Sequence, residues 1–348
     1  MFIQQLHAFS NGLLSKTLHL ILSSEITCAA RPSIGGQAVM EGVMMNGEKH
    51  YSLAVRDGKG EVRTSIYDRT SLCERYKVLN IPIVRGVIRF VESMVIGIKT
   101  LNLSADIYME GIEEEEAPKK PKSALGRFWE KNGDSILSTL SMIFAVALAL
   151  FLFVFVPVRL ARFLVMDLLK VPAILGLIEG LIRMAVFLLY IFLVSRIKDI
   201  RRTFEYHGAE HKTINCFEAG KELSVQNVKG MSRFNKRCGT SFLFIIMLVS
   251  ILVFSLITIT DPIWRFVIHL LLVPVIAGLS YEVLKLSAKS KSKVINALVV
   301  PGLWIQRLTT REPDEEEIAV GIASVVKLFE TEHPEFLPEK ANADQPTD

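Results

Sequence analysis

Apolar and polar positions along this chain fall into blocks with different periods. Residues 136–158 and 241–260 contain no charged side chain, and each is close to the ~20 residues a helix needs to cross a bilayer core. Two further apolar stretches pair with them. Residues 171–195 hold Glu179 and Arg183, one helical turn apart and able to neutralise each other, and residues 263–280 hold Arg265, His269 and Pro274. The pattern predicts four transmembrane helices in two hairpins, over 133–197 and 239–283.

Ahead of the apolar blocks the period changes. "YSLAVR" and "EVRTSIY" alternate in part about Asp57-Gly58-Lys59-Gly60, which predicts a β-hairpin. The preceding "GGQAVMEGVMMNG" places Gly35, Gly36, Gly42 and Gly47 among apolar residues with one carboxylate, Glu41. Glycines so placed allow a backbone to approach a ligand or a neighbouring strand closely. From Pro82, "IPIVRGVIRFVESMVIGIKTLNL" carries Arg85, Arg89 and Glu92 on one face at i, i+4, i+7, as in an interfacial or bundle-packed helix. Together these make a glycine-rich hairpin module with an amphipathic helix over 34–112. A charged, proline-containing linker follows at 113–132. Near the other end, Thr310 or Asp314 can cap a helix striped by Ile318, Ile322, Val325 and Leu328, within a C-terminal region over 284–337. Residues 1–33 resemble an amphipathic or disordered leader more than a signal peptide, and 338–348 a disordered tail.

Composition agrees with the patterning. Half of the 348 residues are hydrophobic, and mean hydropathy is +0.37, too apolar for an ordinary soluble enzyme. Basic residues crowd 198–237 and the stretch from Lys285 to Lys293, while the loop inside the first hairpin holds few, so the positive-inside rule places both termini and the central loop, 198–238, in the cytoplasm. The net charge of +4 suits anionic lipid headgroups, and no basic cluster interleaved with aromatics argues for nucleic acid. Four cysteines, Cys28, Cys73, Cys216 and Cys238, give no case for disulfides in that compartment. The fold class expected is an α-helical multi-pass membrane protein with a small cytoplasmic α+β domain.

The chemistry-bearing stretch is "YHGAEHKTINC" in the central loop. His207 and His211, at i and i+4, can offer two imidazoles to one zinc ion, and Glu210 can take a proton from water held beside it, the H-x-x-E-H arrangement. Gly208 inside the motif costs ~1 kcal/mol of helix propensity. A catalytic zinc wants a third protein ligand, for which Glu218, Cys238, Glu41 and Glu282 are candidates. Glu282 has the best position by analogy with inverzincins, which take a third ligand from a glutamate on a separate helix downstream. A set containing Cys216 and Cys238 would instead close the site.

"GGQAVMEGVMMNG", "YHGAEHKTINC", "RCGTSF" and "PGLWIQRLTTREP", in this order between about Gly35 and Ser324, resemble the YqhQ family of bacterial multi-pass membrane proteins, described as predicted metal-dependent enzymes. The resemblance implies a location in the bacterial cytoplasmic membrane and points at His207, Glu210 and His211 without naming a reaction. Where the family pattern has a histidine shortly before the Arg-Cys pair, this chain has Asn235. The expectation that follows is a zinc-dependent hydrolase acting on a membrane-proximal peptide or lipid-linked substrate, with membrane lipid and a membrane protein or peptide as partners. The competing expectation is a nonenzymatic membrane scaffold or assembly factor with a structural metal or none.

Overall fold

The computed structural model describes residues 31–110, 137, 139–169, 174–236, 238–257, 259, 261–289 and 292–337. The expected linker at 113–132 and tail at 338–348 lie outside them, as does all but 31–33 of the expected leader. Described residues from Ile34 onward belong to one compact unit.

Four strands, β1 (Gly35–Val39), β2 (Gly42–Asn46), β3 (His50–Arg56) and β4 (Val62–Asp68), form an antiparallel sheet in chain order. The β3–β4 connection turns on Asp57, whose Oδ1 accepts the N–H groups of Lys59 and Glu61 at 3.0 and 2.9 Å, with Gly60 at φ 90. The glycine-rich stretch is itself a hairpin, β1–β2, closed by Met40 and Glu41. Glu41 takes a left-handed φ of 49, costly for a residue with a Cβ, and its carboxylate is gripped by the Arg202 guanidinium and by Tyr206 Oη at 3.2 Å.

Both faces of the sheet are covered, which is why its central strands show only partial alternation. On one face Val39, Met44, Leu53 and Val55 pack under Ile96, Leu103 and Ile107 of helix α1 (Val84–Glu110). On the other, Val43, Met45 and Ala54 share a core with Tyr206, Ile214, Phe217, Val325, Leu328 and Phe329. Those partners belong to two helices introduced below, one central and one C-terminal.

The apolar blocks form α2 (Thr139–Met166), α3 (Leu175–Val194), α5 (Gly239–Ser255) and α6 (Pro262–Lys289). Between them lies α4 (Lys198–Glu218), and after them α7 (Lys293–Thr309) and α8 (Glu315–Glu332). Among the described residues three helices, Thr139–Met166, Leu175–Val194 and Ile263–Ser287, are long and apolar enough to cross a membrane. Four were expected; the remaining block, α5, is a shorter apolar helix of 17 residues, begun at the Cys238 cap and ended by a turn at Leu256.

Small residues set the helix crossings. Gly176 and Gly180 of α3 lie so close to α5 that added Cβ atoms would meet Phe254 O at 2.5 Å and Ile251 Cγ1 at 2.4 Å. Gly86 of α1 and Gly278 of α6 make a similar approach, and Gly302 of α7 abuts Ser241. Helix α1 therefore bridges the two parts of the molecule: its first turns lie on α6 and its later turns cover the sheet. Its polar stripe is spent on neighbours, Arg85 on Glu282, Arg89 on Glu74 and Glu92 on Ser71 and the Leu72 N–H.

Helix α8 opens with a capping box in which Asp314 accepts from Glu317 N–H and the Glu317 side chain accepts from Asp314 N–H. Its far end is tied to the β2–β3 loop, because the Glu332 carboxylate accepts N–H groups of Glu48, Lys49 and His50 at 2.9, 2.7 and 2.5 Å.

Candidate metal centre

Helix α4 places His207 and His211 one turn apart, with ring centroids 4.4 Å from each other. Each ring is fixed from outside the helix by a backbone carbonyl. His207 Nδ1 lies 2.8 Å from Thr309 O at the end of α7, and His211 Nδ1 lies 2.7 Å from Arg233 O in the loop before α5. A carbonyl can only accept, so both imidazoles carry their proton on Nδ1 and turn a bare Nε2 inward. This outer-shell arrangement is the one that orients metal-ligating histidines.

His207 Nε2 lies 3.2 Å from Cys238 Sγ, while His211 Nε2 is buried and has no hydrogen-bond partner among the described residues. An unpaired buried acceptor costs about 1–3 kcal/mol, which a ligand at that nitrogen would recover. One donor atom from each of His207, His211 and Cys238 fits within 4.8 Å of the others, and these residues could hold a metal ion. Cys238 owes its position to two contacts. It is the N-cap of α5, its sulfur accepting Thr240 N–H at 3.4 Å, and its loop is clamped to α7 where Gln306 bonds Asn235 N and O at 2.9 and 2.7 Å.

Glu210 completes the cluster. Its Oε2 lies 3.7 Å from His207 Nε2, its side chain is 5% exposed, and burial pushes its carboxyl up to about 7 against a smaller opposing pull from His207. The close approach of β1 explains that burial: a Cβ on Gly36 would lie 2.6 Å from Glu210 Cγ. Gly208 is required too. A Cβ there would lie 2.0 Å from Arg311 O, so its helix-propensity cost is accepted for the crossing of the 309–313 segment that also presents Thr309 O to His207. The four chemistry-bearing residues line a cavity of about 340 Å³, together with Gly36, Thr203 and Asn235 among others.

The other sequence candidates are placed elsewhere. Glu282 is not brought to the histidines, because its carboxylate is held by Arg85 Nε at 2.7 Å and Nη2 at 2.5 Å. Glu218 is exposed in the last turn of α4, outside the cluster, and Glu41 is bound to Arg202. Cys216 lies on another face of α4, packed with Val228 and Ile318 and donating to Glu222 O at 3.5 Å, so the donor set does not close to two thiols and two imidazoles. Asn235, standing where the family pattern has histidine, does line the cavity. Thr309 and Arg233 contribute through backbone oxygen, which no side-chain pattern reports; Gly36 was visible only as one of several glycines.

The architecture defines a class: a bundle of apolar helices carrying a sheet-and-helix module with one two-histidine, one-cysteine cluster that could hold a metal. The family model described as "Protein of unknown function (DUF1385)" matches residues 81–331. The chain is also 37% identical over 306 residues, 86% of its own length and 93% of the relative's, to "Uncharacterized protein YqhQ" of Bacillus subtilis (strain 168). It therefore belongs to the DUF1385 family that the YqhQ resemblance indicated. No solved structure matches it.

Proposed function

We propose that the chain is a zinc-dependent hydrolase of the cytoplasmic membrane that cleaves an amide bond in a membrane-proximal peptide, with its site on the cytoplasmic side. The observation that carries this reading is the pairing of two Nε2 atoms and one thiol, each fixed by its surroundings, with a buried carboxylate beside them. Three protein donors with a position left open match catalytic zinc sites, whereas structural sites are closed by a fourth. Zinc held there would supply Lewis acidity towards a carbonyl oxygen and towards water.

The chain's own residues do the rest. Glu210 Oε2 is placed to accept a proton next to His207 and return it to a leaving amine, the role of a buried general base. Thr309 O and Arg233 O hold both Nδ1–H groups and so keep the rings from rotating. Among the described residues strand β1 lies at the edge of the sheet, and Gly35, Gly36, Gln37 and Ala38 line the cavity, so an extended peptide can pair with it while its carbonyl reaches the cluster. That edge favours a peptide over the lipid-linked alternative.

Protein purified without chelator should contain about one zinc per chain, and Glu210→Gln should keep the metal while losing hydrolysis of an extended-peptide library. A chain free of transition metal by elemental analysis would remove the reading, and retention of full hydrolysis by Glu210→Gln would remove the role of Glu210. For sidedness, cysteine placed at Asp261 should react with an impermeant reagent added outside intact cells, and cysteine at Glu222 should not.

A further inference from the structure

A second constellation of ionisable groups lies among the apolar helices. Helix α3 carries Glu179 and Arg183 one turn apart, and α6 carries Arg265 and His269 one turn apart; the structure joins all four. Glu179 Oε1 accepts from Arg183 Nη2 at 2.7 Å and lies 3.0 Å from His269 Nδ1, while Oε2 accepts from Arg265 Nε at 2.7 Å. The side chains of Glu179, Arg265 and His269 are 1–2% exposed, and that of Arg183 11%.

Charge in this cluster does not balance. Two guanidiniums, always protonated, face one carboxylate, which leaves 2 − 1 = +1 even with the imidazole neutral. No other acidic side chain among the described residues pairs with either arginine. The remaining guanidinium contacts are neutral: Arg265 Nη1 donates to the carbonyls of Ile257 and Ile259 at 3.1 and 2.9 Å, and Arg183 Nε to Phe153 O at 2.9 Å. Arg265 Nη2 and His269 Nε2 are buried with no hydrogen-bond partner among the described residues. An uncompensated charge and the unpaired Arg265 donor in an apolar interior are costly, and a nearby anion would offset the excess charge.

Space for the rest of such a ligand is adjacent. Arg183 and His269 line a cavity of about 310 Å³ whose other walls, from Phe90 and Leu150 to Val273 and Ala277, are apolar apart from Ser250. The Ser250 hydroxyl is already committed to Met247 O. The lining runs along α6 from Phe266 to Ala277, about 16 Å at ~1.5 Å per residue, an elongated apolar space that water would not fill.

We propose that this is a binding site for an anionic amphiphile: an oxyanion, carboxylate or phosphate monoester, seated at the Arg183 guanidinium on the cavity wall, where the excess positive charge shared with Arg265 is balanced, with its single apolar chain in the cavity. The site is separate from the candidate metal centre. Sixteen residue steps lead from Cys238 along α5 to Phe254, whose ring His269 stacks on at 3.9 Å, so the ionic cluster lies about 24 Å from the thiol along that helix.

The test is equilibrium binding to the full chain, purified in nonionic detergent and stripped of lipid. Radiolabelled palmitate supplies the carboxylate arm, lysophosphatidate the phosphate arm, and hexadecanol and inorganic phosphate supply chain and anion alone. One saturable site per chain is expected for palmitate or lysophosphatidate, the better of the two naming the headgroup. Hexadecanol or inorganic phosphate at tenfold excess should not displace it. Arg183→Met should weaken binding at least tenfold. Val273→Phe fills the cavity mouth from a half-exposed position without touching the ionic groups, so it should weaken binding as much even if the arginine variant fails to fold. Displacement by hexadecanol as effective as by palmitate, displacement by phosphate alone, or no saturable binding would each overturn the proposal.

Discussion

The contact between Gly36 and Glu210 can be tested by a double-mutant cycle that needs no substrate. A methyl group at position 36 would meet Glu210 Cγ, Oε1 and Cδ at 2.6, 2.7 and 2.9 Å, all atoms of one side chain packed in the interior. Overpacking of this kind costs about 1–3 kcal/mol. Against it stands the gain from restricting the unfolded chain, about 0.4–1 kcal/mol where the backbone conformation admits alanine, and Gly36 is not in the left-handed region. The net expectation for Gly36→Ala is a loss of about 0–2.5 kcal/mol. In a Glu210→Ala background every clashing atom is gone, so the same substitution should be neutral or stabilising by up to about 1 kcal/mol, a coupling of about 1–3 kcal/mol. Gly35→Ala is the control, because nothing lies within 4 Å of a Cβ there. Urea unfolding in detergent, followed through the module containing α4, reads all four corners of the cycle. Equal costs of Gly36→Ala in the two backgrounds would refute the packing that is said to bury the carboxylate.

Other predictions follow from the same geometry. Gly208→Ala should displace the strand of chain that carries Arg311 O and Thr309 O, lowering zinc affinity about tenfold in a chelator competition, since outer-shell partners are worth about 10–100-fold. Cys238→Ser should abolish the thiolate charge-transfer band of the cobalt-loaded chain, whereas Glu282→Ala should leave band and stoichiometry intact and lose only the pair with Arg85. Glu317 is pushed up to about 7 by burial, so between about pH 4.5 and 7 the folded chain keeps a proton that the unfolded chain has lost. Stability should therefore fall as pH rises through that window, by at most about 1.4 kcal/mol per pH unit, and Glu317→Gln, which preserves the capping box, should flatten the slope in pH-dependent urea titrations.

Sequence disclosed what is periodic or local and concealed what depends on distant pairing. The i, i+4 spacing of His207 and His211 is a property of one helix, so their shared face was readable. The third donor was legible only as one of four candidates. Cys238 comes beside the histidines because it caps α5 and because Gln306 clamps Asn235 from 71 residues downstream, while Glu282 is held by Arg85, 197 residues away. The β1–β2 hairpin was hidden for a different reason: its turn uses Met40 and a left-handed Glu41 stabilised by Arg202, in place of the asparagine-glycine or aspartate-glycine pair that announces such turns. Gly208 read as a weakness of the helix because only the fold reveals the carbonyl that passes over it. Hydropathy located the apolar blocks, yet it could not see that α5 ends at the Leu256 turn, before the apolar block 241–260 does.

The distribution of the sheet module along the chain has a consequence for biosynthesis. Strands β1–β4 leave the ribosome before the apolar helices, but one apolar face of the sheet waits for α8, and the Glu332 clamp on His50 closes a separation of 282 residues. At ~5–20 residues per second, that is about 15–55 s during which Val43, Met45 and Ala54 have no C-terminal helix to cover them and the β1 edge lies open. In the same interval the apolar helices are being made and need a hydrophobic environment of their own. The nascent chain thus presents two sticky surfaces at once, one destined for the interior of a folded module and one for the surroundings of a helical bundle. A holding factor that shields the early sheet until translation reaches α8 would be of most use to this chain, and slowing translation downstream of α4 should increase its aggregation in vivo.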